Sequence, residues 1–166
     1  MEPFHIRPYD KYDADACVQC FQSNIPTFFT ELETKDYRRW LNEVWNAVSG
    51  TPPDEALSYY VILSHDQVVG CGGFAIDKEK KQVVFAWGLV HNRHHKKGFG
   101  KALSLYRINI IEGEYPDFDI VLDTTQHTYG FFERLGFRTE LITPDFYAKG
   151  LDRYDMRRPA SCKSSI

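Results

Sequence analysis

The 166-residue chain is 43% hydrophobic, 15% aromatic and 26% charged, with a formal net charge of -3. That length suits one domain with its own core, needing neither disulfides nor a structural metal. The composition excludes a disordered chain, and the small net charge excludes nucleic acid or an acidic membrane as an implied partner. Along the chain, "PFHIRPYD" predicts a short strand. "DADACVQCFQSN" predicts a helix with Asp13 as N-cap candidate and Ala14, Cys17, Val18 and Phe21 on one face, stopped by Asn24 and Pro26. A second helix is expected from Thr34 to Val48, with Tyr37, Trp40, Leu41, Val44, Trp45 and Val48 as its apolar face, and "SGTPPDE" ends it. Three strands, "SYYVILS", "QVVGCGGFAI" and "KQVVFAWGLV", follow as a meander across "HDQ" and "DKEKK". Then come a helix from Gly98 to Glu112, the strand "FDIVLD", a helix from about Thr125 to Leu135 closed by Gly136, and the strands "FRTELIT" and "LDRYDMRR".

The order β-α-α-β-β-β-α-β-α-β-β implies an α/β (α+β) fold with a mixed sheet of about seven strands, covered by helices on both faces, in one domain over 1–166. The strand-helix-strand unit around Gly98 makes its two strands parallel. In such sheets ligands bind beyond the carboxyl ends of strands, where helix N-termini open toward them. No run of about eighteen apolar residues exists, and "MEPFHIRPYD" has charges where a signal peptide needs an apolar segment, so a cytoplasmic protein is expected. The four cysteines agree. Cys17 and Cys20 stand in a helical pattern, Cys71 in a strand and Cys162 near the polar C-terminus. A redox or zinc reading of C-x-x-C lacks a second ligand pair or a strand just before it.

The stretch "WGLVHNRHHKKGFGKALSLYRINIIEG", Trp87 to Gly113, joins a strand end to a helix through three histidines, three basic residues and two glycines. Backbone N–H groups at a helix start lack partners in the helix, and the helix dipole adds about half a positive charge there. Gly98 and Gly100 let an oxygen-rich ligand approach those groups, and Lys96, Lys97 and Lys101 add full charges, so phosphate is the natural guest. "HHKKGFGKAL" lacks the glycine spacing and hydroxyl of a P-loop, and Leu103 stands where a dinucleotide fingerprint needs its third glycine. His91, His94 and His95 have no carboxylate or cysteine among them and neighbouring lysines would repel a cation, so no metal is expected. A solvated basic turn is the plain alternative.

At these residues the sequence resembles a known family. "HHKKGFGKAL" is similar to the R/Q-x-x-G-x-G/A signature with which GCN5-related N-acetyltransferases (GNATs) grip the pyrophosphate of acetyl-coenzyme A, with His95 where Gln or Arg is usual. "TTQHTYGFFERLGF" resembles the second signature, N-x-x-A-x-x-F-Y-E-K-L-G-F. Phe131, Glu133, Leu135, Gly136 and Phe137 match it and Arg134 replaces lysine. The element order fits over nearly the whole chain, and the landmarks "FQSNIPTFF", "LDTTQHTYGFFERLGF" and "YAKGLDRYDM" resemble an uncharacterised bacterial subgroup.

The resemblance implies a mostly antiparallel sheet and an acetyl-CoA-dependent acyltransferase, with the co-substrate wedged between two splayed parallel strands and no metal. The backbone of Leu89, Val90 and His91 would pair with the pantetheine amides. His95, Lys96, Lys97, Gly98, Phe99, Gly100 and Lys101 would hold the pyrophosphate, and Thr125 would contact the cofactor arm. Phe132 falls where the family often has the tyrosine that protonates the leaving thiolate. Tyr129, one turn earlier, is the substitute that can be named. A thiolate is already a tolerable leaving group near neutral pH, which leaves the acid dispensable or supplied elsewhere.

The amine must lose a proton before attack, and Asp123, His127 and His91 are the candidate bases. Asp123 also reads as part of the next helix's N-cap, and His127 as a surface residue capping a loop. The implied acceptor region includes Asn24, with Phe28, Phe29, Phe146, Tyr147 and Tyr154 as an aromatic wall and Glu31, Glu33, Asp145, Asp152 and Asp155 as negative charge. Equally, these aromatics read as core and the acids as solvated. The expected activity is N-acetylation of a primary amine on a small molecule or peptide. A non-catalytic acyl-CoA-binding module and an O-acyltransferase are the alternatives, and the family resemblance allows a homodimer.

Overall fold

The computed structural model describes residues 1–51 and 53–161. The expectations for Cys162, and for Pro52 in the helix-ending stretch, lie outside the described residues. The elements are β1 (His5–Pro8), α1 (Ala14–Gln22), α2 (Thr34–Ser49), β2 (Leu57–Ser64), β3 (Gln67–Asp77), β4 (Gln82–Val90), α3 (Phe99–Glu114), β5 (Asp119–Thr124), α4 (Tyr129–Glu133), β6 (Arg138–Ala148) and β7 (Leu151–Arg158). The sheet has seven strands in the order β1-β2-β3-β4-β5-β7-β6. Its pairs β1/β2, β2/β3, β5/β7 and β6/β7 are antiparallel. β4 and β5 run parallel through Gln82–Asp119, Val83–Ile120 and Val84–Val121, as a crossover helix between them requires. The chain forms two compact units, one of Met1–Ala75 and Ala86–Arg107, the other of Ile76–Phe85 and the chain from Ile108 onward.

In the first unit the period of two along β2 sorts its side chains onto two faces. Tyr59, Val61 and Leu63 join the core formed with Cys17, Val18, Cys20 and Phe21 of α1 and Tyr37, Leu41 and Val44 of α2. Ile62 turns the other way and packs with Val69 of β3 and with Phe99 and Leu103 of α3, against partly buried Tyr60. Helices therefore cover both faces. The α2 stripe is as expected except at its end, where Val48 is exposed.

Asp13 does not cap α1 with its side chain. Its carboxylate takes both guanidinium nitrogens of Arg7, at 2.7 and 2.9 Å, and the Asp10 backbone N–H at 2.9 Å. Asp10 in turn accepts the Tyr12 N–H. The capping box therefore closes a short 3-10 turn one step before the helix.

Inside β4, Trp87 has a φ of 46°. For a bulky residue this left-handed backbone costs about 1–3 kcal/mol and persists only where the surroundings hold it. Its ring lies among Phe21, Phe29 and Tyr37, and its carbonyl accepts the Tyr59 hydroxyl at 2.8 Å.

In the second unit β5, β7 and β6 form a ladder through pairs such as Asp123–Asp155 and Ile142–Tyr154. Phe137 is buried against Phe85 and Phe132. Gly136, at φ +89°, is the left-handed residue that ends the α4 region. The helix there is shorter than expected, beginning at Tyr129 instead of about Thr125. The Thr125 hydroxyl receives the His127 N–H at 3.3 Å, and its carbonyl receives those of Thr128 and Tyr129 at 3.1 Å each, which closes a turn before the helix can start.

Candidate functional site

The loop after β4 is built within the first unit. The His91 N–H donates to Val69 O at 2.8 Å, and Arg93 N–H donates to His91 Nδ1 at 3.3 Å. This assigns the ring proton to Nε2 in the neutral form. Burial, together with the positive charges of His94, Arg93 and His95, holds the His91 imidazole below its ordinary titration range.

His95 bonds through Nε2 to the Val90 carbonyl at 2.8 Å, and its ring stands edge-on to Phe28 at 5.4 Å. A carbonyl only accepts, so Nε2 carries a hydrogen there. Asn24 Nδ2 reaches the same carbonyl at 2.9 Å and Cys20 O at 2.7 Å. Val90 O, expected to pair with a pantetheine amide, therefore already has two donors. Asn24, placed by sequence in the acceptor region, is 4% exposed and acts as a strut from α1 to the end of β4. Ser23 adds to it, its hydroxyl accepting the Asn92 N–H at 3.0 Å. No local sequence signal marks Asn24 for this, because its partner is 66 positions away.

Lys96 and Gly98 both have left-handed backbone, φ 61° and 91°. The first backbone bond of α3 runs from Ala102 N–H to Gly98 O at 3.0 Å. The amides of Phe99, Gly100 and Lys101 therefore precede it and have no acceptor within the helix. Lys96, Lys97 and Lys101 are exposed.

The Phe99 side chain is 0% exposed in the core, with Phe4 and His94 edge-on to it. It anchors the loop, and only its backbone is placed to meet a ligand. Leu89 is likewise a core side chain. The chain's first residues lie along this loop: Glu2 reaches Lys97 Nζ at 3.2 Å, and Met1 Sδ lies 2.7 Å from where a Cβ on Gly98 would stand. The hydrogen bond and charge of Lys97 hold the Glu2 carboxyl below its ordinary value. Phe29, placed by sequence in the acceptor region, packs on Phe21 at 4.8 Å as part of the core.

The second unit gathers the remaining candidates. Asp123, at the end of β5, accepts the Tyr147 hydroxyl and lies 3.8 Å from Arg153. Its carboxylate is thus turned to side chains and not to the amides of the following turn. Arg153 also pairs with Asp155 at 2.9 Å and sits over the Phe146 ring at 4.8 Å. Tyr129 stacks on Tyr154 at 4.7 Å and 17°. Thr125 is buried beneath this turn, and His127 is exposed on it. Phe132 packs edge-on to Phe131 and Phe137 and offers no proton.

Two acids expected to supply charge are structural. Asp145 accepts the Gly150 N–H at 2.5 Å, and Asp152 accepts the Asp145 N–H at 2.9 Å, bracing the β6–β7 hairpin. Gln126 ties the same hairpin through Gly150 O and the Asp152 N–H.

Among the described residues no group of three or more His, Cys, Asp or Glu is placed to hold a metal ion. No described helix is long and apolar enough to cross a membrane.

A model of the acetyltransferase (GNAT) domain matches residues 55–139, more than half of the chain. No curated protein matches the sequence. Solved structures do. A protein from Desulfovibrio desulfuricans assigned to the GNAT acetyltransferases is 19% identical with a TM-score of 0.78, covering 95% of this chain and 99% of its own. The ribosomal-protein-S18-alanine N-acetyltransferase of Escherichia coli is 15% identical with a TM-score of 0.75 over 96% and 95%. The PaiA N-acetyltransferase of Thermoplasma acidophilum, solved with coenzyme A, is 12% identical with a TM-score of 0.73 over 95% and 99%. At such identities the likeness is one of fold.

Proposed function

We propose, proceeding from the fact that this chain belongs to the acetyltransferase (GNAT) domain family, that it moves an acetyl group from acetyl-CoA to a primary amine of a small molecule or peptide. The observation that carries this reading is the start of α3. Three amides without helical acceptors, at Phe99, Gly100 and Lys101, follow the left-handed Gly98 amid three exposed lysines. That donor set fits a pyrophosphate.

In this reading Lys96, Lys97 and Lys101 supply charge to the coenzyme phosphates, and the backbone of Leu89 to His91 faces the pantetheine arm, less the Val90 carbonyl and the His91 N–H, which already have partners. Thr125 supports the turn that carries His127 and Tyr129. The acceptor nitrogen loses a proton and forms its bond to the acetyl carbon, the carbon–sulfur bond breaks, and the sulfur leaves with the electron pair. Asp123 draws the incoming ammonium, with His127 taking the proton, because His91 Nδ1 already accepts the Arg93 N–H and its Nε2 carries the ring hydrogen, and Tyr129 is the donor to the leaving sulfur. The relatives named as N-acetyltransferases support nitrogen as the acceptor atom.

Phe132 favours a second reading, in which the chain binds acyl-CoA without transferring the acyl group. One experiment separates the two: thiol release from acetyl-CoA across polyamines, amino acids, aminoglycosides, aryl amines and N-terminal peptides, with acetyl-CoA binding measured on the same sample. Acceptor-dependent release supports the transferase. Binding without release supports the second reading, and no binding rejects both.

A further inference from the structure

The core of the first unit holds polar groups that the proposed reaction does not use. Tyr37 and Tyr59 join hydroxyls at 2.9 Å, and Tyr37 meets Cys71 Sγ at 3.2 Å. Arg107 is 2% exposed, and burial brings its pKa down to about 10, still charged at neutral pH. Burying phenols and a guanidinium is costly unless each is matched to a partner.

These groups converge on one place in the backbone. The chain of hydroxyls ends on the carbonyl of Trp87, where Tyr59 donates at 2.8 Å. On the next residue, a Cβ at Gly88 would lie 3.0 Å from the Arg107 guanidinium, and one at Gly72 would lie equally close. Arg107 is fixed by Gly73 O at 3.1 Å and by Leu103 O and Ser104 Oγ at 3.4 Å. The peptide between Trp87 and Gly88 is therefore held at its carbonyl by a phenol, and a guanidinium fills the space beside Gly88 that a Cβ would take. This is also where the backbone is left-handed at a tryptophan, a conformation that needs its surroundings to persist. The next three residues are Leu89, Val90 and His91.

We infer that Tyr59 is a positioning residue: by holding the Trp87 carbonyl it sets the direction of Leu89–His91, and so governs binding of the pantetheine arm of a coenzyme A thioester but not of its nucleotide end. The inference rests on the coenzyme reading above. Tyr59→Phe keeps the ring packing but removes the bonds to both the Trp87 carbonyl and the Tyr37 hydroxyl, so Tyr37→Phe, which removes the second alone, isolates the first.

The test compares two ligands that differ only in that arm: coenzyme A, and 3′-phospho-ADP, which is the same molecule cut before the pantetheine. In Tyr59→Phe, coenzyme A should bind about five- to twentyfold more weakly, the range set by one buried hydrogen bond, while 3′-phospho-ADP stays within about twofold. Tyr37→Phe leaves the Tyr59–Trp87 bond in place and should change neither. A general loss of packing would weaken both ligands together, and that result, or unchanged coenzyme A affinity, overturns the inference. If Tyr59→Phe does not fold, Gly88→Ala decides, since its Cβ pushes on the guanidinium at the same peptide. It should lose coenzyme A selectively, and equal loss of the two ligands overturns the inference. If the wild-type protein binds neither ligand, the coenzyme reading itself fails and the inference falls with it, an outcome distinct from equal loss in the variant.

Discussion

Tyr147 near the end of β6 donates its hydroxyl to the carboxylate of Asp123 at the end of β5. The contact ties the edge strand to the strand that carries the proposed catalytic turn, within one unit. If Asp123 draws the acceptor ammonium, Asp123→Asn lowers turnover about 100-fold or more with coenzyme A affinity unchanged. Tyr147→Phe, which leaves the charge in place, lowers it less than about tenfold. Steady-state kinetics with the acceptor found in the panel measures both. Full turnover in Asp123→Asn removes that carboxylate from the mechanism.

The loop assignment is tested at Gly98. Its φ of 91° disfavours any side chain, so Gly98→Ala costs about 1 kcal/mol in stability. Gly98→Asp adds a negative charge beside the amides and should weaken coenzyme A by more than about tenfold while circular dichroism stays native. Gly113 near the end of α3 has open space around it, so Gly113→Asp is the matched control and should bind normally. Equal affinity in folded Gly98→Asp would falsify the phosphate site.

Glu2 competes with that same ligand. Its carboxylate occupies Lys97, and a phosphate taking the lysine must displace it. Glu2→Gln is expected to tighten coenzyme A by about two- to fivefold, with the gain fading as salt screens the pair. Calorimetry at low and high ionic strength reads this, and weaker binding in the variant would contradict the competition.

Asp13 governs acid stability of the first unit. Burial pushes its carboxyl up, but the Arg7 hydrogen bonds, the Asp10 N–H and the Arg7 charge outweigh that and hold it below the ordinary range. A depressed folded value means the unfolded chain binds the proton more readily. The stabilisation is thus fully present above about pH 4, the unfolded aspartate value, and is lost as pH falls through the lower folded value. Asp13→Asn is expected to cost about 1–3 kcal/mol at neutral pH and to flatten the acid limb of the unfolding curve. A limb of unchanged slope would assign acid sensitivity to other carboxylates.

The elements that repeat a simple period were legible in the sequence. β7 runs over the expected "LDRYDMRR", and the α2 stripe of Tyr37, Leu41 and Val44 is buried as its spacing predicts. Burial follows period, and period is written locally. What escaped depends on single side chains reaching distant backbone. Thr125 closes a turn where a helix was expected, Asn24 reaches across 66 positions to Val90, and Arg107 looks like a polar residue on a surface helix until Gly72 and Gly88 make room for it. The acids of the hairpin misled for the same reason. Asp145 and Asp152 look available in sequence and are committed to amides in three dimensions.

Cys17 and Cys20 on α1 and Cys71 on β3 are all buried in the first unit. A thiol-alkylating reagent reaches them only when that unit opens, so each cysteine is a timer for the element that carries it. Labelling of Cys17 and Cys20 ahead of Cys71 means that α1 leaves before the sheet comes apart, and equal rates mean that the two go together. The protein's unfolding can be followed this way, residue by residue, at cysteines the chain already carries.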